Sequence, residues 1–291
     1  MTEWNIPSEH SLRGDYSAKA ADWSIAQNWS GYRPEDHALW RRLYARQAAL
    51  LPRYAAPEFR QAIAGLDVSQ EIPNLETVSV ALRKATGWHL IAVPGLIPEE
   101  IFFNHLAERR FPVTNWLRKP EEFDYLVEPD IFHDFFGHVP LLFDPVFADY
   151  MQAYGFKGAE AQRLGTTPIL ARLYWYMVEF GLIATGEGLR AYGAGILSSG
   201  GETVFSVENE SPHRIWFNCA RVMRTQYRID DYQQTYFVLR SFEDLFQATQ
   251  RDFRPLYAEI GDGGLIAPDT LLPGDGILNR GTQQHKNRKA A

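Results

Sequence analysis

Apolar positions recur at helical spacing over much of the chain. Leu39, Trp40, Leu43 and Tyr44 mark one face of a helix within residues 38–51. Asn74 stands as a cap before the inward set Leu75, Val78 and Leu82. The apolar run His89–Val93 reads as a short strand. Pro98 then opens a helix with Glu99 and Glu100 in its first turn. Asp144-Pro145 is a cap followed by a first-turn proline. Phe147, Tyr150, Met151 and Tyr154 follow it at i, i+3, i+4 and i+7. Thr167-Pro168 repeats the device. The helix it starts is expected to run through Leu182 with apolar residues on every side, and so to be buried and central. Residues 203–207 and 227–239 look β-like, and Ser241-Phe242-Glu243-Asp244 resembles a capping box for a last helix.

These elements predict a mainly α chain with a few short β-strands (α+β), with no internal repeat and no alternating βαβ pattern. Residues 1–35 are polar, carry Trp4, Trp23 and Trp29 without a clean period, and read as an arm over the body. A single catalytic domain is expected over 36–260. From Gly261 the chain turns to Gly, Pro and Asp and ends with Lys286, Arg288 and Lys289, so 261–291 reads as a flexible tail.

Composition narrows the classes. With 291 residues, of which 45% are apolar and 14% aromatic, the chain can build a large core and is no disordered polymer. Its formal net charge of −7 argues against general nucleic-acid binding. Cys219 is the only cysteine, which excludes an internal disulfide and a zinc-thiolate site of the four-Cys type. Residues 1–12 hold no apolar core of signal-peptide length, and no run approaches a membrane span. A cytoplasmic protein is expected.

The densest chemistry is Pro129-Asp130-Ile131-Phe132-His133-Asp134-Phe135-Phe136-Gly137-His138-Val139-Pro140. His133 and His138 are five apart, which on a regular helix separates side chains by about 140°. Gly137 offers a way out if the helix ends there and the backbone swings His138 toward His133. Two core histidines with satisfied ring nitrogens are the alternative. Glu179 lies in the all-round apolar helix, where a lone buried carboxylate is costly, so it must pair, protonate or bind a cation. Arg172, two turns earlier, is one possible partner; the two histidines are the other. Two histidines and a carboxylate form the facial triad of non-haem Fe(II) oxygenases. Zinc, as in hydrolases with His, His and Glu ligands, competes, although the His-Glu-x-x-His helix motif is absent. Gly193-Ala194-Gly195 followed by Ile196-Leu197-Ser198 lacks the last glycine of a dinucleotide fingerprint. With no strand expected at Leu189-Arg190-Ala191-Tyr192, it reads as a tight turn. Ser198 and Ser199 could then orient a histidine. The remaining histidines, His10, His37, His89, His105, His213 and His285, show no ligand spacing.

Taken together, residues 129–142, 171–181, 191–202 and 236–242 resemble the pterin-dependent aromatic amino acid hydroxylases in sequence and order, in particular the short bacterial phenylalanine 4-hydroxylases. The resemblance covers roughly residues 90–260. It implies a monooxygenase that converts L-phenylalanine to L-tyrosine with Fe(II), O2 and a tetrahydropterin such as tetrahydrobiopterin. It places His133, His138 and Glu179 on the iron ligands. Arg118 falls on the residue that holds the amino acid carboxylate, as a guanidinium fork suits. Phe102, Gly95, Leu96, Ile97 and Asp134 fall on the pterin site, and Tyr174, Trp175, Gly195 and Ser198 beside the substrate. Ile229 falls where tyrosine-specific members carry an acidic residue, which favours phenylalanine. A regulatory domain and tetramerising heptads have no counterpart here, so a monomer is expected. The same chemistry on tryptophan, a zinc hydrolase and a silent aromatic-ligand binder are the alternatives.

Overall fold

The fold is taken from a computed structural model that describes residues 12–285; Trp4, His10, Lys286, Arg288 and Lys289 lie outside the described residues. Helix α1 (Pro34–Tyr54) buries Leu39, Trp40, Leu43 and Leu51 along the stripe that the sequence marks. Its Trp40 indole donates to the Val68 carbonyl at 2.7 Å, so the buried ring leaves no polar atom unpaired. Short α2 (Pro57–Ala64) and α3 (Leu75–Thr86) follow. The Asn74 side chain caps α3 by accepting the Thr77 N–H at 3.1 Å, and Gly87 ends it at φ 79°.

Strand β1 (His89–Val93), helix α4 (Glu99–Ala107) and strand β2 (Arg110–Thr114) form one unit, with β1 and β2 paired in parallel. This is a βαβ crossover, which the sequence pattern does not announce because a lone unit has no repeat to alternate with. Helix α5 (Pro145–Leu164) is capped by Asp144, whose carboxylate accepts the Phe147 N–H at 2.8 Å. Helix α6 (Thr167–Tyr174) is capped at Thr166 without a side-chain bond, one residue earlier than the Thr-Pro device implies. It does not run to Leu182. It widens at Trp175 and stops at Phe180, and Leu182 already belongs to β3 (Leu182–Thr185). Just past the break, position 181 must be glycine, since any side chain there would meet the Tyr192 ring at 2.2 Å.

The rest of the chain alternates short elements: β4 (Gly188–Ala191), α7 (Ala194–Leu197), α8 (Gly200–Glu208), β5 (His213–Trp216), α9 (Cys219–Arg224), β6 (Thr235–Leu239), α10 (Phe242–Thr249), α11 (Arg254–Gly263) and β7 (Ile277–Asn279). Five of the strands make one sheet in the order β4-β3-β6-β5-β7, with β6 parallel to both neighbours and the outer pairs antiparallel. All of β6 is buried, as its apolar run requires. Two readings change here. The β-like stretch 203–207 is helical, because Ser199 caps α8 and the Thr203 hydroxyl bonds back to the Ile196 and Ser199 carbonyls. Leu189, Arg190 and Ala191, read as no strand, lie in β4 and pair with β3.

The expected loose tail is also revised over its described part. Thr235 donates to the Pro268 carbonyl at 2.6 Å, Gly281 donates to the His213 ring at 2.8 Å, and β7 pairs with β5. Its turn-rich composition looks free, yet the body satisfies its backbone groups. Among the described residues no helix is long and apolar enough to cross a membrane.

Candidate metal centre

Two segments leave the α-helical path, and both carry candidate ligands. His133–His138 and Trp175–Glu179 are π-helical turns. A π turn closes between residues five apart, so such residues return to one face. That resolves the spacing of the two histidines: their ring centroids lie 5.2 Å apart. The helix therefore does not end at Gly137. Glycine is needed there because α7 presses against it; a Cβ would sit 2.9 Å from both the Cβ and the carbonyl oxygen of Ala194.

The second turn delivers Glu179. Its Oε1 is 3.2 Å from His138 Nε2 and its Oε2 is 3.5 Å from His133 Nε2. Burial alone would push this carboxyl up, but the His138 and His133 imidazoles and the Gly195 N–H hold it below the usual carboxylate range. Arg172 instead donates to the Met223 carbonyl at 3.3 Å. His133 Nδ1 lies 2.9 Å from the Ser198 hydroxyl, which leaves Nε2 free to face Glu179. Ser199 serves elsewhere, as the cap of α8.

A second carboxylate is close. Donor atoms of His133, Asp134 and His138 all lie within 4.8 Å of one another. Asp134 differs from Glu179 in two respects. Burial raises its carboxyl above the usual range, and its Oδ2 already accepts the Thr114 N–H at 2.8 Å. Glu179 is the better donor, since it touches both imidazoles and keeps its charge. Around a six-coordinate ion with bonds of about 2.1 Å, adjacent donors stand about 3 Å apart. The contacts of 3.2 and 3.5 Å are close to that spacing, each to a different oxygen of Glu179, and two imidazoles with a carboxylate are donor types that suit a divalent iron.

The three donors face a cavity of about 330 Å³. Every residue singled out from the sequence lines it: Gly95, Leu96, Ile97 and Phe102; Arg118 and Asp134; Tyr174 and Trp175; Gly195 and Ser198. Phe102 meets Tyr174 edge to face at 5.5 Å, and Trp175 stacks on Tyr227 at 4.4 Å. Arg118 is no solvated surface charge. It is buried, and its Nε and Nη2 donate to Asp130 at 2.8 and 2.9 Å. Asp130 is fully buried and also accepts the Arg118 and His133 backbone N–H groups, each at 2.9 Å. Sequence reasoning missed this hub, although an Asp three residues before His133 is a capping pattern. It also missed Glu202, a buried acid on the cavity wall that accepts from the Tyr236 hydroxyl at 2.7 Å. Its local sequence marks it only as the fourth residue of a Ser-x-x-Glu cap, not as a cavity acid. Ile229 lines the rim and is 70% exposed. His37, His105 and His213 bond to backbone groups well away from the site.

The family of biopterin-dependent aromatic amino acid hydroxylases matches residues 13–256. The chain belongs to that family. It is 54% identical over 264 residues to phenylalanine-4-hydroxylase of Ralstonia nicotianae, covering 90% of this chain and 84% of that one. Crystallised phenylalanine hydroxylase of Chromobacterium violaceum is similar in structure. The form with iron(III) and 7,8-dihydrobiopterin bound matches at TM-score 0.87 and 51% identity, covering 90% of this chain and 95% of that one. The iron- and phenylalanine-bound form matches at TM-score 0.86 and 50% identity, covering 92% and 97%. The mainly α fold with few strands is thus the catalytic domain of the aromatic amino acid hydroxylases.

Proposed function

We propose that this chain is a phenylalanine 4-monooxygenase, using Fe(II), a tetrahydropterin and O2 to convert L-phenylalanine to L-tyrosine. The observation that carries the reading is the contact of Glu179 with both His133 and His138 at the end of a deep aromatic cavity. When bound, Fe(II) and the reduced pterin together supply the activation of O2 that hydroxylates the ring. The chain's own residues hold, orient and exclude. His133, His138 and Glu179 would hold the metal, a ligand set that leaves positions for other ligands. Ser198 fixes the His133 ring through Nδ1. Phe102 would offer a face for the pterin beside 95–97, with Asp134 lining the same cavity. Arg118, oriented by Asp130, takes the carboxylate of the amino acid. Trp175, Tyr174 and Gly195 shape the place of the aromatic ring and keep water from it.

We expect the active species to be a monomer, with a mass near 33.3 kDa in light scattering. Product analysis tests the reaction. Protein loaded with Fe(II) and supplied with tetrahydrobiopterin should form tyrosine from phenylalanine, with far less product from tryptophan. Protein loaded with Zn(II) should form none. Hydrolysis by the zinc form, or no tyrosine from the iron form, would overturn the reading.

A further inference from the structure

The segment 13–16 lies outside the catalytic elements yet grips the cavity from two sides. The Tyr16 hydroxyl donates to the Leu96 carbonyl at 3.1 Å. Gly14 adopts φ +100°, and a Cβ there would fall 1.8 Å from the Pro94 carbonyl oxygen, so only glycine lets the segment lie this close. A Cβ on Gly95 would in turn meet the Tyr16 hydroxyl at 2.7 Å and the Arg13 carbonyl at 2.9 Å. On its other side Arg13 pairs with Glu122 through both terminal nitrogens, and its backbone N–H donates to Glu128 at 3.3 Å. Its guanidinium lies over Trp116 at 5.1 Å. Gly95, Leu96 and Glu128 all line the cavity.

We propose that residues 13–16 are a strap that fixes the 95–97 wall for the pterin, with Tyr16 as a positioning residue acting through the Leu96 carbonyl. The proposal rests on the reading above, in which 95–97 and Phe102 receive the pterin. Loop 94–98 joins β1 to α4 and lies outside both elements. A loop so placed takes its shape from what packs on it. The strap supplies a hydrogen bond at Leu96 and close backbone contacts at Pro94 and Gly95, and the ion pair to Glu122 anchors the strap itself. Tyr16 meets the loop through the Leu96 carbonyl, so losing its hydroxyl should act first on pterin binding, whereas Arg13 also feels the Asp130 carboxylate that orients Arg118.

The test is calorimetric binding of 7,8-dihydrobiopterin to the iron-loaded protein, joined to steady-state kinetics with pterin and phenylalanine varied separately. Tyr16→Phe removes one hydroxyl and keeps the ring. A single hydrogen bond of ordinary strength predicts a rise of about fivefold in the pterin constants. The phenylalanine KM, kcat at saturating pterin, iron content and melting temperature should stay near the parent values. Arg13→Gln, which loosens the anchor, should shift the pterin constants in the same direction. Pterin constants unchanged in Tyr16→Phe would overturn the strap, as would phenylalanine and pterin constants rising together in that variant. Phe102→Ala separates the two claims. If it weakens pterin binding while Tyr16→Phe does not, the functional reading stands and the strap falls. If the parent protein binds no pterin, both fall.

Discussion

Arg118 gives Nε, Nη2 and its backbone N–H to Asp130, so its fork is held in one orientation before any substrate arrives. Lysine would carry the charge without the fork. Arg118→Lys is therefore expected to raise the apparent phenylalanine constant at least about tenfold, since a charge-assisted bond contributes ~1.5–3 kcal/mol. It should also lower the melting temperature, because the fully buried Asp130 loses two donors. Kinetics with an unchanged phenylalanine constant would remove Arg118 from the substrate site. Cys219 makes a second residue-level case. Burial pushes its thiol up to about 12. The folded protein thus keeps a proton that the unfolded chain releases near pH 8.5. That contribution to stability is present below about pH 8.5 and is lost as pH rises toward 12. Cys219 is half-buried, so iodoacetamide at pH 8 should label the native thiol more slowly than the unfolded one; equal rates would contradict the raised thiol. At this scale the sequence told much about the site, since His133, His138 and Glu179 stand out as polar groups in apolar surroundings. It told little of Asp130 and Glu202, whose roles depend on partners 12 and 34 residues away.

The two π turns are what make the ligand residues converge. Regular periodicity assumes 3.6 residues per turn, so it misplaces His138 relative to His133 and carries α6 past its true end. Cap signals fared better, because a cap is a local bond. Asn74, Asp144 and Ser241 each accept the backbone N–H three residues on, as their sequence positions imply. Strand assignments failed where a partner from elsewhere decides: β4 exists by pairing with β3, and the β-branched stretch after Ser199 is helical under its cap. Gly137→Ala tests the element scale. Its Cβ would press on Ala194, force α7 away from the first π turn and move Ser198 off His133. Overpacking of this kind typically costs about 1–3 kcal/mol. The expected result is a lower melting temperature together with weaker iron retention on dialysis. Parent-like values for both would show that the contact between α7 and the turn is slack.

On the scale of the whole molecule, the cavity is assembled from stretches that are distant in sequence. The βαβ unit supplies 95–97 and Phe102. The first π turn supplies two imidazoles, the second supplies Glu179, and α7 and α8 close the floor with Ser198 and Glu202. The polar arm lies over the body as expected from Arg13 onward, and the turn-rich tail, which looks loose by composition, is tied to the body through residue 285. Composition could not show this, because each tie joins residues far apart in the chain. The account depends most on which carboxylate completes the metal site. Fe(II) titration of metal-free parent, Glu179→Gln and Asp134→Asn proteins, with bound iron counted per folded chain, decides it. The account predicts one tightly held iron in the parent and in Asp134→Asn, and none in Glu179→Gln. Iron retained by Glu179→Gln and lost from Asp134→Asn would contradict it.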